Sequence, residues 1–370
     1  MEKQFDPRDI EKFFFHPICN AEEIERVFNV KNANDYLLKL RAETIVDHMR
    51  LFRVYRNKAL MDEKRWSLEK SFKTAHYDRF LSRLTTDDRS RCLEVTFGNI
   101  FSNDPNGSIF TTDFGPIITI SDSLQFFLKF AHLAIFRFES EVPPHVQLNG
   151  LRIAIRVMMM TESLDFLMDP RGTVSVDVGE RIHAPLSQQM EFIAGHEFAH
   201  HILGHLSDLD IKTKPIIFAI SPQEKDYKPM KVYNRSQQEE FDADVQAILL
   251  PNYDNNERKN ILEAALTWFG ALELYEAVSD EIFPLAPGSY ETHPSARDRF
   301  DNLLTKVPTP SGFSIEDAKM LLRTIDMYKE VLLDDVSTNV ENYEFYGSVY
   351  LDKPNTKWRG RELVDRVDYY

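Results

Sequence analysis

Residues 187–206 combine an apolar helical pattern with two histidines placed four residues apart, His196 and His200. Residues four apart in an α-helix differ by only about 40° around its axis, so both rings project from one face. Ser187 is expected to cap the start of this helix, and Glu191 to favour its first turns. The fold must therefore bury an apolar helix that carries two imidazole rings side by side on one face.

Two imidazole nitrogens in this arrangement can bind a single tetrahedral zinc ion. Glu197 follows His196 directly and completes an HExxH sequence. Its carboxylate can reach a water molecule bound to such an ion and serve as the general base, without being a ligand itself. The alternative is that the histidines cap or pack within a helical bundle.

A zinc site of this type needs a third protein ligand. In the longer motif HExxHxxGxxH the glycine and third histidine would be residues 203 and 206, but the chain has Gly204 and His205. If the helix continues, His205 lies about 140° and His201 about 100° around the axis from His200. We expect both to be polar residues or contacts of the ligands rather than ligands.

A better candidate lies in the acidic helical segment 236–250. Glu240 and Asp244 are four residues apart and share a face, so Glu240 could complete a His-His-Glu site. Asp244 could accept the second ring N–H of a ligand histidine and fix its tautomer. Glu239 is the rival ligand, with Ala243 rather than a carboxylate one turn later. A solvated acidic helix start is the alternative interpretation.

Three motifs in order, HEFAHHILGH, EEFDAD and Thr292-His293-Pro294 followed by Arg297 and Arg299, resemble the gluzincin metallopeptidases of the HtpX and CAAX prenyl protease type. The similarity covers roughly residues 185–305. HEFAHHILGH with a later acidic helix ending in ILLP is also similar to ImmA/IrrE-type peptidases, and Lit-type phage-exclusion peptidases form a third similar group.

The resemblance implies a zincin-like domain with one Zn²⁺ ion bound by His196, His200 and Glu240, and Glu197 as catalytic base. It further implies that His293 and Arg299 help to position the substrate or the tetrahedral intermediate. His293 could instead be a residue at a helix start before Pro294.

Composition narrows the classes of protein that remain. The net charge of −15 disfavours nucleic acid as a partner. The only two cysteines, Cys19 and Cys92, are far apart, which argues against a disulfide scaffold or a cysteine zinc site. Residues 124–138 form the most apolar run, but it is too short for a membrane span and contains Lys129 and Arg137. We expect a cytoplasmic protein without an integral membrane segment, which makes a prenylated substrate doubtful.

The pattern predicts a mainly α fold with a small β-sheet, of the α+β class. Turn-forming residues at 103–107 suggest a helical N-terminal region over 1–105, a zincin-like peptidase domain over 106–335 and a C-terminal tail over 336–370. Strands are predicted at residues 115–121 and 173–178.

The function that these features predict is a zinc-dependent endopeptidase acting on an intracellular protein, with zinc-bound water activated by Glu197. Two alternatives stay open. One is a regulatory or toxin-like, phage-exclusion protein whose N-terminal region binds a partner. The other is a non-catalytic zinc-containing scaffold. The substrate and the oligomeric state are not predicted.

Overall fold

A computed structural model of the chain describes residues 7–62, 64–136, 138, 141–162, 164, 175–205, 211–213, 231–233, 237–283 and 294–344. These residues are mostly helical, with one small sheet, which confirms the predicted α+β class. The described helices include none with the length and apolar character needed to cross a membrane.

In the part of the chain that the structure describes, six α-helices precede the first strand: α1 (Pro7–Phe15), α2 (Ala21–Phe28), α3 (Ala33–Asp47), α4 (Met49–Met61), α5 (Ala75–Arg83) and α6 (Thr86–Arg91). The later helices are α7 (Asp122–Ile135), α8 (Pro144–Met158), α9 (Val176–Ile202), α10 (Gln237–Leu249), α11 (Asn255–Ile282), α12 (Ala296–Lys306), α13 (Ile315–Asn339) and α14 (Glu341–Glu344).

The sheet contains β1 (Thr96–Ile100), β2 (Gly107–Thr112), β3 (Gly115–Ser121), β4 (Ile211–Thr213) and β5 (Lys231–Tyr233), in the order β1-β3-β2-β5-β4. β3 lies where the sequence predicted a strand. It pairs in parallel with β1 and antiparallel with β2, to which a tight turn connects it. β1 thus belongs to the same sheet as β2 and β3, and the domain boundary at residue 105 stays a prediction.

Helix α9 begins much earlier than the sequence suggested. Ser175 caps it by accepting a hydrogen bond from the Val178 N–H, so the prediction of Ser187 as the cap is wrong. The strand predicted at 173–178 is also wrong for residues 176–178, which are helical, while 173–174 lie outside the described residues. Val178 and Ile182 are both buried and stand four apart, which is a helical rather than a strand repeat.

Aromatic residues on both sides of α9 hold it in the core. Phe198 stacks on Phe80 of α5 with ring centroids 5.6 Å apart, and Phe192 contacts Trp268 of α11 edge-on at 5.7 Å. Burying a side chain of this size contributes about 1.5–3 kcal/mol by transfer from water. The ring of Phe80 also occupies the space beside Gly195, where a Cβ atom would lie 2.5 Å from Phe80 Cε2. The C-terminal half of α9 is therefore clamped between α5 and α11.

Candidate metal centre

Helices α9 and α10 pack against each other and bring together the three predicted ligands, His196, His200 and Glu240, all of which are buried. The two histidine Nε2 atoms are 3.0 Å apart. Glu240 Oε2 lies 3.4 Å from His196 Nε2, and Glu240 Oε1 lies 3.5 Å from His200 Nε2. This His-His-Glu group could hold a metal ion.

The separations between these atoms suit a small tetrahedral ion. Donors bound at about 2.0–2.1 Å and at the tetrahedral angle would lie about 3.3 Å from each other. The separation of 3.0 Å between the two Nε2 atoms, and those of 3.4 Å from His196 to Glu240 Oε2 and 3.5 Å from His200 to Glu240 Oε1, bracket that value. Three protein donors would leave one tetrahedral position open, as catalytic rather than structural zinc sites do.

The charges around the three donors also favour a cation. We call His196, His200, Glu197, Glu240, Asp244 and Arg299 the metal-site cluster, and all six are buried. Within this cluster three carboxylates face one guanidinium, and excess buried negative charge is costly unless it is compensated. Burial lowers the pKa of His196, but the carboxylates of Asp244 and Glu240 outweigh it and raise the pKa to about 9. The cluster thus attracts positive charge, and a divalent ion would supply two such charges.

Asp244 lies where the sequence placed it, behind the first histidine. His196 Nδ1 is 2.8 Å from Asp244 Oδ1, so its ring N–H can donate to the carboxylate. Arg299 of α12 donates two hydrogen bonds to the same carboxylate and one to Asn106 Oδ1, at 3.3 Å. Its guanidinium also lies over the ring of Phe269, 4.7 Å from the centroid. Arg299 is therefore a buried residue that holds the Asp244 carboxylate in place.

Glu197 sits beside the ligands without joining them. Its Oε1 atom lies 3.9 Å from His196 Nε2, beyond hydrogen-bonding distance. The first residue of β2, Gly107, passes directly over this side chain: a Cβ atom there would lie 2.6 Å from Glu197 Cγ and 2.8 Å from Oε1. Only glycine permits such an approach, so the strand backbone confines the carboxylate. The Asn-Gly pair at 106–107 suggested a turn in the sequence and gave no sign of this contact.

His293 lies outside the described residues. The residues that follow it are described: Ser295 caps α12 by accepting from the Asp298 N–H. Arg297, the other arginine of this motif, turns away from the metal-site cluster and donates to Glu273 and Asp326. Of the two arginines in the predicted motif, only Arg299 thus reaches the cluster.

Helix α9 ends two residues after His200, so the angular estimate for a continuous helix does not apply to His205. Gly204 has a φ of +75° and its N–H donates to the His201 carbonyl, while the His205 N–H donates to the His200 carbonyl. This pair of bonds is the Schellman motif of helix C-termini. It turns the chain back, and His205 Nδ1 lies 2.8 Å from His200 Nδ1. His201 instead contacts the Arg91 carbonyl through Nε2 at 2.9 Å.

Comparison of the chain with protein-family models, with curated proteins and with solved structures found no match. The family resemblance inferred from the motifs stays a prediction. What the site can do is therefore judged from the arrangement of its own residues.

Proposed function

We propose that the chain is a zinc-dependent peptidase of the zincin-like gluzincin type, with His196, His200 and Glu240 as the ligands and Glu197 as the general base. One observation carries the proposal: three buried donors converge at tetrahedral spacing, and a fourth carboxylate lies next to them outside the ligand set. A purely structural site would have little use for a carboxylate in that position.

Zinc fits this set of donors better than the common hard cations do. Magnesium and calcium prefer sites built from oxygen donors, whereas imidazole nitrogens suit zinc and the later transition metals. Two of the three donors here are imidazole nitrogens. Among the metals that accept such donors, zinc combines a tetrahedral preference with no redox chemistry of its own.

The reaction assigns a proton-transfer role to Glu197. When bound, zinc would act as a Lewis acid and lower the pKa of a coordinated water. Glu197 would accept one proton from the attacking water as the water oxygen bonds to the scissile carbonyl carbon. It would then pass that proton to the amine nitrogen as the carbon–nitrogen bond breaks. Because Gly107 confines its side chain, Glu197 would need little reorganisation between these steps.

An intracellular protein as substrate and a cytoplasmic location are part of the proposal. Both Cys19 and Cys92 are free and buried, as in proteins of reducing compartments. Nothing in the metal-site cluster selects a particular amino-acid sequence, so a library of substrates is the appropriate first probe.

The experiment uses the full chain, loaded with zinc, and a peptide library derived from a proteome. New N-termini are mapped by mass spectrometry, and bound zinc is measured by elemental analysis. We expect one zinc per chain and cleavage by the wild type. Glu197→Gln should keep the zinc and lose about 10²–10⁴-fold in rate, the usual contribution of a general base. Glu240→Gln should lose zinc. Glu239→Gln, at the half-buried neighbouring position outside the His-His-Glu group, serves as the matched control and should keep it.

Each contrary result has a definite meaning. Full activity in Glu197→Gln would refute the general-base role. Stoichiometric zinc with no cleavage of any library peptide would favour the zinc-containing scaffold instead. Absence of zinc from the wild type, with Glu240→Gln indistinguishable from it, would refute the metal site itself.

A further inference from the structure

In each of the two proposed histidine ligands, one ring nitrogen would bind the metal and the other would donate a hydrogen bond. Their Nε2 atoms face each other and the carboxylate of Glu240, so a metal would be bound through Nε2. A neutral imidazole that binds metal through Nε2 carries its hydrogen on Nδ1, and the acceptor at Nδ1 sets the tautomer and the ring orientation. Each ring therefore needs an acceptor on its outer side, and for His196 that acceptor is Asp244.

On the outer side of His200, the atom in the equivalent place is His205 Nδ1, at 2.8 Å from His200 Nδ1. The two rings are inclined at 65° with centroids 5.0 Å apart, so they meet edge to edge rather than stacked. A neutral imidazole has one acceptor nitrogen and one N–H donor. If His200 donates from Nδ1, His205 must accept at Nδ1 and carry its own hydrogen on Nε2.

The backbone explains why this histidine reaches His200. In the Schellman motif that ends α9, His205 follows the glycine with positive φ, and its N–H bonds to the carbonyl of His200 itself. The backbone bond and the ring contact therefore join the same two residues. His205 also approaches the ring from the side opposite the metal-binding nitrogen, which excludes it from the ligand set while His200 binds through Nε2.

We infer that His205 is the positioning residue of His200: it accepts the Nδ1–H hydrogen bond and so presents His200 Nε2 to the metal. This inference rests on the proposed zinc site. The Nδ1–H groups of the two ligands then have different acceptors. His196 donates to a carboxylate held by an arginine, whereas His200 donates to a neutral imidazole ring. The chain thus uses the turn after its active-site helix as part of the metal centre.

The test compares the full-length wild type with His205→Phe, His205→Asn and His201→Phe. Phenylalanine keeps a planar ring without an acceptor, whereas the asparagine Oδ1 atom can replace Nδ1 as acceptor. His201→Phe is the matched control because His201 lies near the same helix end and contacts Arg91 instead. Zinc affinity is measured by competition with a chelator, and ligand geometry by the visible absorption of the Co²⁺-loaded protein.

We expect His205→Phe to bind zinc about 10–100-fold more weakly, the usual effect of losing the hydrogen-bond partner of a ligand histidine. Its Co²⁺ spectrum should change as well. His205→Asn should retain most of the affinity, and His201→Phe should match the wild type. Thermal unfolding of the metal-free proteins separates lost affinity from lost folding. If His205→Phe does not fold, a folded His205→Asn protein that binds zinc about 10-fold or more weakly than the wild type would overturn the inference.

Wild-type affinity and an unchanged Co²⁺ spectrum in His205→Phe would overturn the inference alone. So would a loss in His205→Asn as large as that in His205→Phe, because then the acceptor atom would not be what matters. Failure of the wild type to bind zinc would overturn the proposed function, and this inference with it.

Discussion

Arg299 holds Asp244 through two parallel hydrogen bonds, one of 2.8 Å from Nε to Oδ2 and one of 2.6 Å from Nη2 to Oδ1. Both side chains are buried, and the same carboxylate accepts from His196 Nδ1. A fork-to-fork pair of this kind fixes the plane of the carboxylate as well as its position. The orientation of His196 thus depends on an arginine from α12.

Arg299→Met should destabilise the metal-free protein by about 3–5 kcal/mol, because it removes the guanidinium that donates two hydrogen bonds to the buried Asp244 carboxylate. Urea unfolding in the presence of a chelator measures this. Arg297→Met on the same helix is the control: Arg297 is 31% exposed in its ion pair with Glu273, so its loss should cost less than about 1 kcal/mol. A double-mutant cycle with Asp244→Asn that shows no coupling would contradict the prediction.

Zinc should stabilise the folded chain, because it neutralises the excess negative charge of the metal-site cluster. Free zinc at 1,000 times its dissociation constant would add about 4.1 kcal/mol to the free energy of unfolding. Thermal unfolding with and without zinc measures the effect, and magnesium should not reproduce it. His196→Ala should abolish the zinc-dependent shift, and Glu197→Gln should preserve it. Equal shifts in His196→Ala and the wild type would place the zinc elsewhere.

Gly107→Ala should reduce peptidase activity by about 100-fold, the cost of displacing a reacting group by about 1 Å. The added methyl group would lie within 3.0 Å of three atoms of Glu197 and push the carboxylate aside, while the three ligands stay in place. Cleavage of a library-derived peptide and bound zinc are measured on the same sample, and we expect loss of the first with retention of the second.

Gly179→Ala is the control for that substitution. Gly179 lies in α9, and a Cβ atom there would meet nothing within 4 Å. Alanine is favoured over glycine inside a helix by about 0.5–1 kcal/mol, so this variant should be fully active and slightly more stable. Unchanged activity in Gly107→Ala would show that Glu197 is not confined as the structure indicates.

Acid should destabilise the chain partly through His132 of α7. Burial lowers the pKa of His132 from 6.5 to about 3. Between these values the unfolded chain binds a proton that the folded chain does not. This contribution to stability is therefore complete above about pH 6.5 and declines as the pH falls towards 3, by about 1.4 kcal/mol per pH unit.

His132→Phe removes that titration and keeps an aromatic ring against Phe136, on which His132 stacks at 4.3 Å. Urea unfolding of the metal-free proteins at several pH values between 4.5 and 7 should therefore give a flatter pH dependence for the variant than for the wild type. Parallel curves for the two proteins would mean that His132 is protonated in the folded state.

The His-His-Glu group was predictable because each half of it is a local property of one helix. His196 with His200, and Glu240 with Asp244, are both four-residue spacings, and helix geometry alone puts each pair on one face. That the two faces meet is a tertiary fact, which the structure supplies through the packing of α9 on α10. Glu239 and Glu240 could not be separated with certainty until that packing was known.

Other features could not be predicted because they depend on where chain segments stop or approach. His205 contacts His200 only because α9 ends at Ile202 and turns back at Gly204. Gly107 contacts Glu197 only because β2 passes over α9, a helix that is distant from it in the sequence. The wrong prediction of a strand at residues 176–178 had a different cause. A short alternation of apolar residues resembles a strand, and only the four-residue spacing of Val178 and Ile182 indicates a helix.

The contact of Gly195 with Phe80 sets the rotational register of α9. A helix held only by a smooth apolar face could turn by several degrees around its axis, but an aromatic ring seated against a glycine resists that rotation. Gly195 immediately precedes His196, so the direction in which the ligand rings point is set at this contact. Removal of α5 would therefore allow the rings of His196 and His200 to change direction, although α5 contributes no residue to the metal-site cluster.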